Sequence, residues 1–430
     1  MSYFDRHVET LPRTGLLRMQ FGRLRSLLSE IQGKNKFYTD KFAGSVPKRD
    51  GLAGWEQFRQ VPFTTKQELV EDQFKHGPFG TNLTYPEADY TRFHQTSGTT
   101  GRPLKILDTP ASWDWWGKCW GYVLAGAGVT SQDRLFVAFG FGPFIGFWAS
   151  VEGARHVRAL MIPGGARDSL QRLHLLLESG STALCCTPTY ALRLAEVAHE
   201  NGIDLPSSAI TRTIHAGEPG ANLPAIKAKI ESAWGAKCYD HAGASEVGAY
   251  AFECGAQPGG MHFNEAEFII EVLDPATDQA VAEGEGELVV TSLGRSAFPV
   301  IRYRTGDIVN LQQEPCACGR TFVRCRGGII GRRDDMVTVR GVNIYPGALE
   351  NLIRSVPEVV EFRVTVEKDA GLAILRVEIE CHPAVENSAV EEKVARTLSN
   401  ALGMRPQVKS VAPDVLPRFE LKAKRFHIIK

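Results

Sequence analysis

No segment of this 430-residue chain approaches the ~20 consecutive apolar residues that a membrane-spanning helix needs. There is no excess of one charge either: Lys+Arg and Asp+Glu both number 49, and a formal net charge of zero gives no sign of a nucleic acid or other polyanion as partner. The start, Met1-Ser2-Tyr3-Phe4-Asp5-Arg6, lacks the basic and apolar segments of a secretory leader, so a cytoplasmic location is expected. Internal repeats, coiled-coil heptads and low-complexity tracts are lacking. Cysteine is sparse, nine in all, and in a reducing compartment this favours buried thiols or metal ligands over a disulfide framework. Cys119, Cys185, Cys186, Cys238 and Cys381 sit among apolar neighbours and read as core thiols. With 43% hydrophobic and 23% charged residues the composition is that of a globular protein. Its length exceeds what one hydrophobic core organises, so at least two domains are expected.

What is present falls into regions of different character. Residues 1 to about 85 mix helical periodicity, as at Leu16 to Leu24, with loops, and Thr64 or Thr65 caps the helix that follows. An aromatic-rich helix is expected over 113–122. Strands at 134–139, 154–160 and 184–187 then alternate with helices at 170–177 and 190–200, the pattern of parallel α/β units. At 268–273 and 284–291 the strands become antiparallel, as in a distorted barrel. From Met336 the order is two short strands, a helix at 347–355, a hairpin at 362–380, a helix at 389–401 and a strand at 407–411, a compact α+β unit.

The most informative stretch is Gln95-Thr96-Ser97-Gly98-Thr99-Thr100-Gly101-Arg102-Pro103-Leu104-Lys105. Small hydroxylated residues and glycines between two short strands make a tight loop whose N–H and hydroxyl donors suit an anion such as a polyphosphate. It is not the G-x-x-x-x-G-K-[ST] pattern, since no Lys-Ser/Thr follows the second glycine. The string T-S-G-T-T-G-x-P-x-K resembles the signature loop of the adenylate-forming enzymes. From about residue 35 to the C-terminus, with Phe37 to Phe42 and Val61 to Leu69 as landmarks, the chain is similar to the phenylacetate-CoA ligases of that superfamily.

The resemblance implies an α/β fold: a large AMP-binding domain over 1–333, with parallel α/β sheets and a distorted β-barrel, and a small mobile α+β lid over 334–430. It implies that Thr96, Ser97, Gly98, Thr99, Thr100 and Gly101 cradle phosphate and that the turn Gly217-Glu218-Pro219 lines adenine. In Asp240-His241-Ala242-Gly243-Ala244-Ser245-Glu246, Ser245 would lie near the α-phosphate and Glu246 would hold Mg²⁺. Ala242 stands where the family has an adenine-stacking aromatic, so Tyr239 or His241 is expected to take part instead. Asp307, in Tyr303-Arg304-Thr305-Gly306-Asp307, would bind the ribose hydroxyls, Arg332 would reach the nucleotide, and Asp334 would be the hinge. Gly341 to Pro346 fits the lid loop that lies against the CoA channel. In Pro417-Arg418-Phe419-Glu420-Leu421-Lys422-Ala423-Lys424-Arg425 the family glycine is Leu421, and Lys422, with Lys424 as alternative, would be the catalytic lysine.

The run from Phe139 to Trp148 stands where the family has acyl-pocket residues. Its aromatics alternate with glycines and can form a flat slot, so Phe139, Phe141, Phe144 and Phe147, with Gly243 and Ala244, favour an aryl or arylacetic acid. Cys254, His262, Cys316 and Cys318 form a soft donor set typical of structural zinc. The expected activity is ATP-, Mg²⁺- and CoA-dependent: an aromatic carboxylate such as a phenylacetate, indoleacetate or substituted benzoate is activated as acyl-AMP with release of pyrophosphate, then passed to CoA. A homodimer is common in the family, and neither nucleic acid nor membrane is expected as partner. Two alternatives stand beside this reading: an adenylating enzyme that hands the adenylate to a carrier protein or amine, and a non-catalytic nucleotide-binding homologue.

Overall fold

The computed structural model describes residues 2–43, 52–96, 102–339, 342–369, 372–419 and 423–429. Among them, no helix is long and apolar enough to cross a membrane. The chain opens with α1 (Arg6–Glu9), α2 (Arg13–Ile31), α3 (Lys36–Lys41), α4 (Trp55–Arg59) and α5 (Lys66–Lys75). Leu24, Leu27, Leu28 and Ile31, at helical spacing on α2, pack with Tyr38, Phe42 and Phe58 into a small core of their own. Thr65 rather than Thr64 caps α5, in a capping box with Glu68. The hairpin β1 (Arg92–Gln95) and β2 (Lys105–Asp108) brackets the expected phosphate loop.

α6 (Pro110–Gly126) starts at the Thr109 cap with proline in its first turn and buries Trp113, Trp115, Trp116, Trp120 and Tyr122. The α/β units follow: β3 (Arg134–Val137), α7 (Ile145–Val157), β4 (Leu160–Pro163), α8 (Ser169–Glu178), β5 (Ala183–Cys186), α9 (Pro188–Glu200), β6 (Arg212–His215), α10 (Pro224–Trp234) and β7 (Lys237–Ala244). The strand expected over 154–160 is corrected: Ala154 to Val157 finish α7, whose chain turns at Arg158 with φ 63°, and the strand starts only at Leu160. Buried Ile145, Ala149 and Gly153, and beside them Ser150 and Ala154, recur every four residues rather than alternating, and that period prevails.

β8 (Gly248–Glu253), β9 (Gly260–Phe263), β10 (Phe268–Leu273), β11 (Gly284–Ser292), β12 (Tyr303–Gln312) and β13 (Arg324–Arg332) are antiparallel to their neighbours and continuous with the parallel strands. The result is an eleven-stranded sheet in the order β10-β11-β12-β13-β9-β8-β7-β6-β5-β3-β4. β7 is where direction changes, parallel to β6 and antiparallel to β8, because a tight turn rather than a helix connects β7 to β8. Ligands of open α/β sheets collect at the carboxyl ends of strands near such a switch.

The C-terminal segment carries β14 (Val337–Val339), β15 (Val342–Ile344), α11 (Pro346–Arg354), β16 (Val359–Asp369), β17 (Leu372–Cys381), α12 (Asn387–Leu402), β18 (Gln407–Ser410) and β19 (Phe426–Ile429). β18-β17-β16-β19 form a four-stranded sheet, and Leu349, Ile353, Phe362, Val364, Leu375, Val377, Val394 and Leu398 give this part its own core. β19, unforeseen in the sequence, pairs in parallel with Val364 to Glu367.

Candidate active site

Two carboxylates anchor the site. Glu246 sits in the β7–β8 turn, buried, and its Oε1 accepts the Tyr303 hydroxyl of β12 at 2.7 Å with the Lys66 ammonium of α5 at 3.6 Å. The turn is braced from behind. Arg295, itself in a fully buried bidentate pair with Asp108 at 2.6 and 2.8 Å, donates to the backbone carbonyls of Ser245 and Glu246, both at 3.1 Å. Asp307, on β12 opposite Arg332 of β13, accepts the Tyr250 hydroxyl of β8 at 2.7 Å, and the Arg332 Nε lies 3.8 Å from its other oxygen. Burial raises the Asp307 pKa, and the Arg332 charge works against that rise. Gly306, with φ 75°, sits at the bulge in β12 just before Asp307, and Asp334 lies in the helical turn just after β13. Lys66, Tyr250 and Arg295 are site neighbours that the sequence reading did not single out.

At the ends of β6 and β7 the expectations fare unevenly. Gly217, with φ 96°, and Pro219 are exposed in the turn after β6, and Gly243 and Ala244 line an accessible edge of β7. Glu218 turns its carboxylate away, to the N-terminus of α9. The expectation for His241 and Tyr239 is corrected. Strand alternation puts both on the face opposite Asp240 and Ala242. The His241 imidazole packs on Trp120 of α6, ring centroids 4.5 Å apart, and the Tyr239 ring is buried beside Gly255, so neither replaces the missing aromatic at Ala242.

Asp240 is buried, and its pKa is pushed up to about 7, first by burial and then by the charge of Glu253. An acid whose pKa rises on folding stabilises the fold fully below its unfolded value, near 4, and loses that contribution as pH climbs through about 7. Asp240→Asn is therefore expected to raise the melting temperature at pH 8 and to lose that advantage at pH 4. Thermal unfolding checks this, and an equal shift at both pH values would contradict it.

Of the phosphate loop only Thr96 is among the described residues. It is buried and closes the hairpin, its N–H donating to Leu104 O and its hydroxyl accepting Leu104 N–H, both at 3.0 Å. Ser97, Gly98, Thr99, Thr100 and Gly101 lie outside the described residues, as does Lys422. Phe139 is buried in the main core, Phe141 packs on Trp148 at 4.8 Å, and Phe144 is exposed in the loop before α7. The Phe147 side chain lies outside the described atoms.

A second cluster stands apart from the carboxylates. Cys254, His262, Cys316 and Cys318 are all buried, with their ligand atoms within 4.8 Å of one another. The Cys254 and Cys316 sulfurs are 3.6 Å apart, and Cys318 Sγ lies 3.3 Å from His262 Nε2. Ligands about 2.3 Å from a tetrahedral zinc would be separated by nearly these distances. His262 Nδ1 donates to Phe322 O at 3.0 Å, which fixes the tautomer with Nε2 facing the sulfurs.

Residues 341–427 match the family model for the AMP-binding enzyme C-terminal domain. Over 97% of both chains, the protein is 32% identical to the phenylacetate-coenzyme A ligase of Thermus thermophilus. The chain belongs to the phenylacetate-coenzyme A ligase family. Among solved structures, this family member is similar to a 2-hydroxyisobutyryl-CoA ligase in the postadenylation state in complex with 2-HIB-AMP, at 29% identity and TM-score 0.93 over 99% of this chain and 92% of that one. In its thioesterification state with 2-HIB-AMP and CoA, that enzyme matches over the same shares, at 30% identity, with a TM-score of 0.75.

Proposed function

We propose that the protein is an AMP-forming aryl-CoA ligase that joins an aromatic carboxylate, phenylacetate-like or a substituted benzoate, first to the α-phosphate of ATP and then to CoA. What carries this reading is the convergence, beside the β7–β8 turn at the carboxyl end of β7, of the Glu246–Tyr303–Lys66 group and the Asp307–Tyr250–Arg332 group in a chain of this family. One carboxylate beside a polyphosphate is the right donor set for a hard cation that keeps most of its waters, so Glu246 would hold Mg²⁺, which would neutralise phosphate charge. Lys66 adds a fixed positive charge there, and Asp307 takes the ribose hydroxyls. The open edge at Gly243 and Ala244 leaves room for a flat ring. Lys422 meets the charge that builds as carboxylate attacks phosphorus. The closer match to a postadenylation structure supports a turn of residues 334–430 against 1–333, about Asp334, between the two half-reactions. Zinc in the Cys254–His262–Cys316–Cys318 cluster would be structural, because four protein ligands leave no position for substrate.

The test is incubation of the full chain with ATP, Mg²⁺ and a panel of aromatic acids, with and without CoA, followed by mass spectrometry. AMP and one aryl thioester are expected. Absence of both across acids of this class would overturn the proposal. Within it, Tyr250→Phe removes the hydroxyl that orients Asp307 and is expected to raise KM for ATP about tenfold, the scale of one hydrogen bond to a charged group, with kcat little changed. Steady-state kinetics in ATP measures this, and an unaltered KM would contradict it.

A further inference from the structure

Glu218 was expected against adenine, and its carboxylate is engaged elsewhere. Oε1 accepts the backbone N–H of Thr189, in the first turn of α9, at 2.9 Å. Oε2 accepts the backbone N–H of Ala423 at 2.8 Å. One partner belongs to the α/β body and the other to the C-terminal segment, so a single side chain bridges the two. The turn that carries it has little freedom: Gly220, with φ 156°, is pressed so close to Pro188 that an added Cβ would stand 2.8 Å from the proline Cβ. Desolvation pushes the Glu218 pKa up, and its hydrogen bonds to Thr189 and Ala423 work against that rise.

The same place is touched a second time from the C-terminal segment. Arg425 Nη1 donates to Thr189 Oγ1 at 3.3 Å, while Nε and Nη2 of that guanidinium grip Glu361 of β16 at 2.6 and 2.9 Å. Ala423 and Arg425 thus dock on one spot, and the residue immediately before Ala423 is Lys422. A catalytic ammonium is useful only when the chain next to it is held, since a small misplacement of a catalytic group is costly.

We propose that Glu218 is a positioning residue for the first half-reaction: it fastens the chain just after Lys422 to the N-terminus of α9, and lets go when the C-terminal body turns for thioester formation. This rests on the ligase reading above. It differs from an adenine-lining role, in which loss of Glu218 would weaken nucleotide binding in both half-reactions. It differs too from a simple packing role, in which both half-reactions would decline together.

The experiment uses full-length Glu218→Ala and Glu218→Gln. ATP–pyrophosphate exchange reads the first half-reaction, CoA capture of a chemically prepared aryl-adenylate reads the second, and hydrogen exchange reads the peptide containing Ala423. In Glu218→Ala, exchange kcat is expected to fall about tenfold or more, as for loss of a charge-assisted hydrogen bond, with KM for ATP changed less than about twofold. CoA capture should fall far less, and the Ala423 amide should exchange faster. Glu218→Gln, which keeps one acceptor, should recover part of the loss. A raised KM for ATP with kcat intact, or equal losses in both halves with unchanged exchange at Ala423, would overturn the proposal. A wild-type chain inactive in both assays would sink the ligase reading instead, and unchanged exchange at Ala423 in the variant would then still dismiss the latch.

Discussion

Lys422→Ala is expected to slow acyl-adenylate formation by about a hundredfold or more, the scale of losing one preorganised group aimed at developing charge. Lys424→Ala should cost less than about threefold. The distinction comes from the chain around them. Arg425 is buried in its grip on Glu361, and Ala423 is fastened through its N–H to Glu218, whereas the Lys424 side chain is exposed beside them. Lys422 also holds the lysine place in the terminal motif even though Leu421 replaces the family glycine. Pyrophosphate exchange separates the two variants, and CoA capture of a prepared adenylate serves as internal control. A larger loss for Lys424→Ala than for Lys422→Ala would reverse the assignment.

The second large effect concerns the metal cluster. Purified protein is expected to carry one zinc per chain. Cys316→Ser combined with Cys318→Ser should abolish it and lower the melting temperature by about 10 °C or more, since metal binding to such ligands is folding free energy. The cluster adds a second tie to segments already joined by the pairing of β8, β9 and β13. Cys254 follows β8, His262 lies on β9, and Cys316 and Cys318 precede β13, with Gly319 at φ 80° closing their turn. The N-terminus is fastened to the same turn: Tyr3 Oη donates to Cys318 O at 2.5 Å, and Arg320 pairs with Glu9 and donates to Ser2 O at 2.6 Å. Four buried ligands without an ion would leave thiol groups crowded at 3.6 Å and the N-terminal staple loose. Elemental analysis and thermal unfolding check this. Protein free of zinc, with a melting temperature indifferent to chelator, would contradict it.

The C-terminal unit was legible almost element by element, because its strands and helices switch cleanly between periods of two and 3.6. Only β19 escaped, four residues directly behind a Lys/Arg string that reads as a motif. The segment from Ala154 to Leu160 misled because its apolar residues, broken by Arg155, His156 and Arg158, mark neither period clearly, and packing of α7 decided it. Candidate site residues were legible where a local string carries them, as with Ser245-Glu246 and Gly306-Asp307. Lys66, Tyr250 and Arg295 were not, since each reaches its carboxylate or turn from an element far away in sequence. The placing of His241 could have been foreseen: on a strand, residue 241 must face away from 240 and 242. The engagement of Glu218 could not, because its partner Ala423 is 205 residues distant.

The most direct test of the central claim follows one oxygen atom. The acid found active in the panel, labelled with ¹⁸O in its carboxylate, is turned over with ATP, Mg²⁺ and CoA, and the nucleotide and phosphate products are analysed by mass spectrometry. Attack of the carboxylate on the α-phosphate predicts AMP carrying one ¹⁸O and unlabelled pyrophosphate. Unlabelled AMP, or ADP with label in inorganic phosphate, would contradict the account.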